Sequence, residues 1–310
     1  MEMVNLTIDG IHTRVPKNWT VMDAAKAIGI DIPALCYLKG VNEVGACRIC
    51  VVEVERARSL QASCVLPVGE GMVVHTESPS VVEARKDILR LLLDNHPNDC
   101  LTCDKAGECK LQEYAYRYDV KFREHDGWRR EKHIDTSNPY IYRDDSKCIL
   151  CGRCVSICGQ VQERSVLSFG ERGFKTHIIA DNERALGESS CVSCGRCISV
   201  CPVGALLDNR VIGKFRSWDM EKEEVTCNRC DYGCEFELMK RNGKILGVRA
   251  KAPSNGRPLC LKGRLTLDLL YNDSPSTPLI KKDGQYAEVA WAEALELEDL
   301  LQKLKTSEKK

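Results

Sequence analysis

Nineteen of the 310 residues are cysteines, and seven pairs of them are spaced Cys-x-x-Cys. At that spacing two thiolates reach one metal centre from a single turn of backbone, as in zinc sites and iron–sulfur clusters. A secreted disulfide scaffold is smaller, carries an even cysteine count and does not string such pairs in series. The cysteines fall into sets. Cys36, Cys47, Cys50 and Cys64 are spaced C-x10-C-x2-C-x13-C, and Cys100, Cys103 and Cys109 follow. Cys148, Cys151, Cys154 and Cys158 form C-x2-C-x2-C-x3-C, which Cys191, Cys194, Cys197 and Cys201 repeat. Cys227, Cys230, Cys234 and Cys260 are spaced C-x2-C-x3-C-x25-C. These sets use every cysteine.

Three thiolates are one ligand short of a four-iron cubane. His96 stands where the deficit falls, giving H-x3-C-x2-C-x5-C. A neutral imidazole makes that site one negative charge lighter than an all-cysteine one and, other things equal, favours reduction. His12, His75, His125, His133 and His177 have no deficient set beside them and read as capping or surface residues. The repeated run is the bacterial two-cluster ferredoxin pattern, in which the fourth cysteine of each run serves the other cluster. That pattern assigns one cubane to Cys148, Cys151, Cys154 and Cys201 and its partner to Cys191, Cys194, Cys197 and Cys158. Gly159 replaces the usual proline after the first run, whereas the second ends Cys201-Pro202. The first and last sets of four suit a cluster, with zinc as the alternative: a four-cysteine zinc site for the first, a zinc ribbon for the last. The expected cofactors are one [2Fe-2S] cluster and four [4Fe-4S] clusters.

The elements that must carry these ligands are short. Met3 to Ile8, an Asp9-Gly10 turn and Ile11 to Val15 predict a hairpin closed by a type I′ turn. Thr20 with Asp23 resembles a capping box for a helix whose apolar stripe is Val21, Ala24, Ala25 and Ile28. Strands are expected at Val51 to Val54 and Met72 to His75, with Gly40 and Gly45 letting the intervening loops wrap closely. Hairpin, helix and cluster loop arrive in β-grasp ferredoxin order, which favours [2Fe-2S] for the first set. Pro79 to Asp94 predicts a helix with Val82, Ile88, Leu89, Leu92 and Leu93 inward, leading into His96. From Lys110 to Tyr142 a helix gives way to a charged loop, whose run from Arg123 to Lys132 reads as a solvated surface. The insert between the repeated runs suggests a hairpin around Gly170 to Gly173, as an edge feature or a contact surface. Glu235 to Met239, Asn242-Gly243 and Ile245 to Val248 predict another hairpin, and Leu295 to Lys305 a terminal helix.

The fold class this predicts is α+β, in modules. A [2Fe-2S] ferredoxin-like domain spans 1–77, a helical His-ligated [4Fe-4S] module 78–140 and a two-cluster ferredoxin-like domain 141–215; a small β-rich [4Fe-4S] domain spans 216–275 and a tail with a helix 276–310. Forty-five basic against forty-five acidic residues give zero formal charge, with no basic face for nucleic acid or an anionic membrane. No apolar stretch approaches the roughly 18 residues of a membrane span. The amino terminus lacks the basic and apolar regions of a signal peptide, so a cytoplasmic location is expected. No G-x-G-x-x-G or P-loop fingerprint is present, which predicts a chain that does not itself catalyse.

In this order the motifs, with the segments NPYIYRDDSKCILCGRC, CVSCGRCISVCPVGAL and CNRCDYGC…LCLKGR, resemble the amino-terminal electron-transfer region of NAD-linked formate dehydrogenase catalytic subunits. The region up to Cys201 is similar also to the accessory domains of iron-only hydrogenases. The large peripheral iron–sulfur subunit of respiratory complex I is related, but keeps only one cubane in the ferredoxin-like region. The resemblance implies that the fourth set sits in a domain of the molybdopterin oxidoreductase type. It also implies a flavin- and NAD(P)-binding subunit and a small thioredoxin-like [2Fe-2S] subunit as partners. Ferredoxin, or a hydrogenase or formate dehydrogenase catalytic subunit, completes the expected set. Formate dehydrogenases continue into pterin domains, whereas only 46 residues follow Arg264 here. Thr277 to Ile280 and Val289 to Leu295 still resemble the start of such a domain. The expectation is therefore an electron wire in a soluble NAD(P)-linked complex, such as an electron-bifurcating transhydrogenase or hydrogenase of an anaerobe. The alternative is a truncated or split formate dehydrogenase subunit.

Overall fold

The protein is described by a computed structural model over residues 2–120, 133–251, 277–282 and 285–297. It divides into two compact units, Met1–Arg264 and Leu265–Lys310. The fold is α+β. Among the described residues no helix is long and apolar enough to cross a membrane.

The first unit begins with β1 (Met3–Ile8) and β2 (Ile11–Pro16), paired antiparallel. Asp9 and Gly10 take φ of 46° and 82°, the left-handed pair that a type I′ turn requires. Helix α1 (Val21–Ala27) opens on a complete capping box, Thr20 accepting from the Asp23 amide while the Asp23 carboxylate accepts from Thr20. Strands β3 (Val51–Val54), β4 (Gln61–Ala62) and β5 (Met72–His75) complete a five-stranded sheet in the order β2-β1-β5-β3-β4. The β1–β5 pair is parallel and the other pairs antiparallel, and α1 covers the sheet through Val21, Met22, Ala24 and Ala25.

Helix α2 (Pro79–Asn95) has proline in its first turn and ends at His96. Its fully buried face is Val81, Arg85 and Leu89, four residues apart, while Val82, Ile88, Leu92 and Leu93 are half-buried beside it. The buried arginine was not legible as core. Its guanidinium donates to the carbonyls of Ile49 (3.1 Å) and Val51 (2.9 Å), to Tyr118 Oη (2.7 Å) and to Glu77 (2.8 Å). Arg85 thus pins both sides of Cys50 to the helix.

Helix α3 (Lys110–Arg117) follows. The charged run from Arg123 to Lys132, with His125, lies outside the described residues. Strands β6 (Ile134–Asp135), β7 (Ile141–Asp144) and β10 (Leu206–Asp208) form a sheet in the order β10-β7-β6. Between β7 and β10 lie the short helices α4 (Arg153–Ser156) and α5 (Arg196–Val200), and the insert forms a hairpin of β8 (Leu167–Gly170) and β9 (His177–Ala180). One apolar core joins Leu89 of α2, Leu111 and Tyr114 of α3, Cys154, Cys197 and Cys201, and Leu35 and Ile49 of the first module's loops. The helical and ferredoxin-like segments are therefore not separate globules.

The unit closes with β11 (Glu221–Thr226), β12 (Glu235–Arg241) and β13 (Lys244–Ala250), an antiparallel sheet. The expected Asn242-Gly243 turn is present, with φ of 51° and 76°; β11 carried no sequence signal of its own. In the second unit β14 (Leu279–Lys282) pairs with β15 (Gln285–Glu288), and α6 (Trp291–Ala294) follows. Of the expected terminal helix only Leu295 to Leu297 are described, and Leu295 and Glu296 form a turn; the remainder lies outside the described residues.

Arg85→Met should keep the apolar stem of the side chain while stranding two carbonyls. We expect a loss of about 3 kcal/mol, the size seen when a buried charge network is broken. Anaerobic denaturation midpoints of the cluster-loaded variant and wild type compare it, and an unchanged midpoint would contradict the pinning role.

Candidate metal centres

In the first module Cys36, Cys50 and Cys64 are buried and Cys47 is half-buried. They meet in pairs. The Cys36 amide points at Cys47 Sγ (3.4 Å), the Cys47 amide at Cys36 Sγ (3.5 Å), and Cys50 and Cys64 sulfurs lie 3.3 Å apart. A thiol donated by Cys36 lowers the pKa of Cys47, and one donated by Cys64 lowers that of Cys50. Cys64 is raised by its bond to Cys50 and by burial, and it feels Cys36 and Cys47 as well, so all four share one electrostatic site. Positive φ at Gly40 (72°), Gly45 (61°) and Arg48 (61°) bends the loop around it.

The repeated runs have repeated backbones. Leu150 and Ser193 take φ of 53° and 52°, Gly152 and Gly195 of 77° and 74°, and each glycine precedes a short helix. In both, the amide two residues after the first cysteine points at its sulfur, Leu150 to Cys148 and Ser193 to Cys191, each at 3.4 Å. Amide bonds to sulfur stabilise negative charge there and tune a cluster's potential. One cavity is lined by Cys148, Cys151, Cys154 and Cys201 together with Ile149, Ile178 and Val203. A second is lined by Cys158, Cys191, Cys194 and Cys197 with Ile141, Val166 and Leu206. Each cavity thus takes three cysteines from one run and the fourth from the other. Burial pushes Cys151 up to about 12 and drives Cys154 and Cys197 well above the ordinary thiol range. Such thiols ionise only against a cation, which is what a cluster supplies. The donor set, cavities and amides therefore fit iron–sulfur clusters. Among the described residues, no three histidine, cysteine or carboxylate side chains close to single-ion distance.

Cys103 is buried, Cys109 half-buried and Cys100 exposed; each of the outer two feels Cys103, and burial pushes Cys109 up to about 11. His96 is buried at the end of α2, its Nδ1 accepting from the Asn98 amide at 3.2 Å. Burial lowers its pKa, keeping the ring neutral, the state in which imidazole ligates. It shares Asp99 and Lys147 with the cysteines: Lys147 is buried, 3.1 Å from Asp99 and 3.7 Å from Asp144, and lies near Cys103. Lys147, which carries no signal in the sequence beyond its place immediately before Cys148, is thereby part of the His96 site.

In the last module the Cys227 amide bonds the Cys234 carbonyl at 2.8 Å; Cys227 is buried, Cys230 exposed and Cys234 half-buried. Cys260 lies outside the described residues. Among the other histidines, His12 bonds Thr7 and His75 lies 3.4 Å from Glu55, while His133 and His177 meet Asp145 and Glu183.

The modules interlock at their ligand loops. Arg153, in α4, donates to the carbonyls of Tyr37 (2.7 Å), Cys36 (3.3 Å) and Ala34 (3.4 Å) of the first module. Its counterpart in the second run, Arg196, is buried within electrostatic reach of Cys194 and of Cys234 in the last module. The helical module meets the ferredoxin-like segment where the Lys110 amide bonds the Pro202 carbonyl at 2.9 Å. Glu108 joins it to the last module by ion pairs with Arg249 at 2.9 Å and with Lys222. Burial raises the Glu108 pKa, but Arg249, Lys222 and Lys105 outweigh it and hold the carboxylate at about 2.

Gly204, two residues after Pro202, lies at a tight contact with the helical module. A Cβ there would stand 2.7 Å from Cys103 Sγ and 3.4 Å from Lys105 Cβ and Lys147 Cδ. Gly204→Ala should therefore displace Cys103 and remove or degrade one cubane, a loss of about four irons per chain. Gly69→Ala, whose Cβ would meet only the flexible tip of Met72 at 3.4 Å, is the control. Elemental analysis and electron paramagnetic resonance (EPR) check both; a Gly204→Ala protein with full iron and wild-type spectra would contradict the contact.

Four family descriptions match successive parts of the chain. They are a 2Fe-2S iron-sulfur cluster binding domain over residues 1–79 and the NADH-ubiquinone oxidoreductase-G iron-sulfur binding region over 85–124. A 4Fe-4S dicluster domain matches 147–205 and the molybdopterin oxidoreductase Fe4S4 domain 220–272. An NADH-quinone oxidoreductase subunit of Rhizobium meliloti is 37% identical over 298 residues, 94% of this chain and 34% of the relative. The HndD subunit of the NADP-reducing hydrogenase of Solidesulfovibrio fructosivorans is 44% identical over 217 residues, 68% of this chain and 37% of the relative. The chain thus spans about a third of the length of these curated relatives. A chain from the crystal structure of NAD+-reducing [NiFe]-hydrogenase in the H2-reduced state superimposes with a TM-score of 0.64 at 32% identity, covering 68% of this chain and 90% of that one.

Proposed function

The chain belongs to the family of iron–sulfur electron-transfer subunits of NAD(P)-linked oxidoreductases, and from that membership we propose that it is the electron wire of such a complex, loaded with one [2Fe-2S] and four [4Fe-4S] clusters. The observation that carries the reading is the pair of cavities ringed by cysteines from both runs, locked to the ligand loops of the modules on either side.

The ligand sets are those implied by the spacing. Cys36, Cys47, Cys50 and Cys64 hold the two-iron centre. His96, Cys100, Cys103 and Cys109 hold one cubane; Cys148, Cys151, Cys154 and Cys201 a second; Cys191, Cys194, Cys197 and Cys158 a third; Cys227, Cys230, Cys234 and Cys260 the fourth. The clusters supply one-electron oxidation and reduction, and the protein supplies binding, orientation and electrostatics. Leu150 and Ser193 donate amides to ligand sulfur, apolar side chains such as Ile178 and Leu206 exclude water, and Lys147 sets a buried positive charge beside Cys103. The five modules remain the proposed organisation, with a cytoplasmic location. The proposed partners are a flavin- and NAD(P)-binding subunit and a small [2Fe-2S] subunit, with ferredoxin or a hydrogenase or formate dehydrogenase subunit at the far end. An electron-bifurcating assembly is the setting we favour.

The loaded chain should accept electrons from a strong reductant, yet show no turnover with NAD(P)H, formate or hydrogen and a viologen dye until the flavin subunit is added. An anaerobic dye-reduction assay checks this. Sustained NAD(P)H or formate oxidation by the chain alone would overturn the wire reading. His96→Cys should retain its cubane with a shifted potential, whereas His96→Ala should lose or degrade that centre alone; wild-type iron and spectra in the alanine variant would return His96 to a capping role.

A further inference from the structure

We propose that Asn42 is a positioning residue that fixes the electron path between the [2Fe-2S] centre and the neighbouring cubane, its side-chain amide bridging one ligand residue of each. The inference rests on the proposed assignment of Cys36 and Cys151 to those two centres.

Asn42 is 2% exposed, and its Nδ2 donates to the Cys36 carbonyl at 2.8 Å and to the Cys151 carbonyl at 3.0 Å. A primary amide has two N–H donors, and here each goes to the backbone of a different proposed ligand. The orientation of the amide is fixed by its surroundings. Two carbonyls can only accept, so the nitrogen must face them, while Oδ1 accepts from Ser156 Oγ at 2.6 Å. The residue itself is held by main-chain bonds in both directions, Asn42 N to Leu38 O at 2.8 Å and Leu38 N to Asn42 O at 3.0 Å. Next to it Val41 is buried against Ile157, Val161 and Val200, with Leu38 partly buried beside them, so the loop is anchored on the ferredoxin-like segment by apolar contact as well. Gly152, at φ 77°, lets the second loop come close: a Cβ there would lie 3.7 Å from Asn42 Oδ1.

Arg153 also spans the junction, but its acceptors are Ala34, Cys36 and Tyr37, all on the first module's loop. The Asn42 amide, by contrast, joins one ligand residue to the other through a single nitrogen. An electron passing between the two centres oxidises one by one unit and reduces the other by one, with no bond made or broken and no proton moved. Its rate depends on separation and on the continuity of bonded atoms between them. Loss of the bridge is therefore expected to slow transfer severalfold.

The test uses the cluster-loaded chain with Asn42→Asp and Asn42→Leu, which keep similar volume and remove both donors. Iron content and the EPR spectra of the isolated centres should stay at wild-type values. The spin–spin interaction between the two reduced centres should weaken, and after laser-flash photoreduction the electron should redistribute severalfold more slowly. Wild-type redistribution in a variant with both centres intact would overturn the proposal. Where either substitution costs a centre, Asn42→Ala serves instead, since it removes the bridging amide without placing a new group against either carbonyl: slower transfer with unchanged spectra supports the bridge, and an unchanged rate overturns it. Wild-type protein without a [2Fe-2S] signal would instead contradict the ligand assignment, a failure distinct from that of the bridge.

Discussion

A thiol buried among apolar side chains resists ionisation unless a hydrogen bond or a positive charge meets it, and the organisation of this chain follows from that constraint. Burial pushes Cys151, Cys154 and Cys197 far toward the neutral form. The sulfurs become ligands only when metal binding offsets the desolvation of the thiolate. On the proposed ligand assignment, cluster assembly is part of folding. With only 6% aromatic residues and helices of four to eight residues outside α1 and α2, the ferredoxin-like and helical segments have little else to define their loops. Cys154, Cys197 and Cys201 belong to the apolar core itself, so cluster and core are one structure.

The same economy explains why the modules cannot be treated as beads on a string. Arg85, fully buried, holds the carbonyls on both sides of Cys50 to a helix of the next module. Gly204, three residues beyond Cys201, has its open side against Cys103. Arg153 and Arg196 occupy equivalent places in the two runs: Arg153 donates to carbonyls of the first module's loop, and Arg196 lies buried within electrostatic reach of Cys194 and Cys234. The internal repeat builds the paired cavities and places an arginine directly after each left-handed glycine.

Much of the fold was legible in the sequence because its signals are local. The Asp9-Gly10 and Asn242-Gly243 turns, the Thr20–Asp23 capping box and the extent of α2 each follow from a few adjacent residues. The family relationship was legible for the same reason, in the cysteine spacing. What escaped was long-range. The helical face of α2 through Val81, Arg85 and Leu89 is masked by the charge of its central member, whose partners lie 33 to 36 residues away along the chain at Ile49, Val51 and Tyr118. Asn42 and Lys147 read as ordinary polar residues beside cysteines, and only the folded chain brings Asn42 to Cys151 and Lys147 to Cys103. Strand β11 is mostly charged and exposed along most of its length, so neither alternation nor hydrophobicity announces it; pairing with β12 makes it a strand.

On the proposed assignment every cysteine and His96 serve five clusters and no other metal. Anaerobic determination of iron, acid-labile sulfide and zinc in the purified, loaded chain tests it directly. About 18 irons per chain are expected, with as many sulfides and no zinc, as one two-iron centre and four cubanes require. About 14 irons with one stoichiometric zinc would contradict it, most simply at the set containing Cys227.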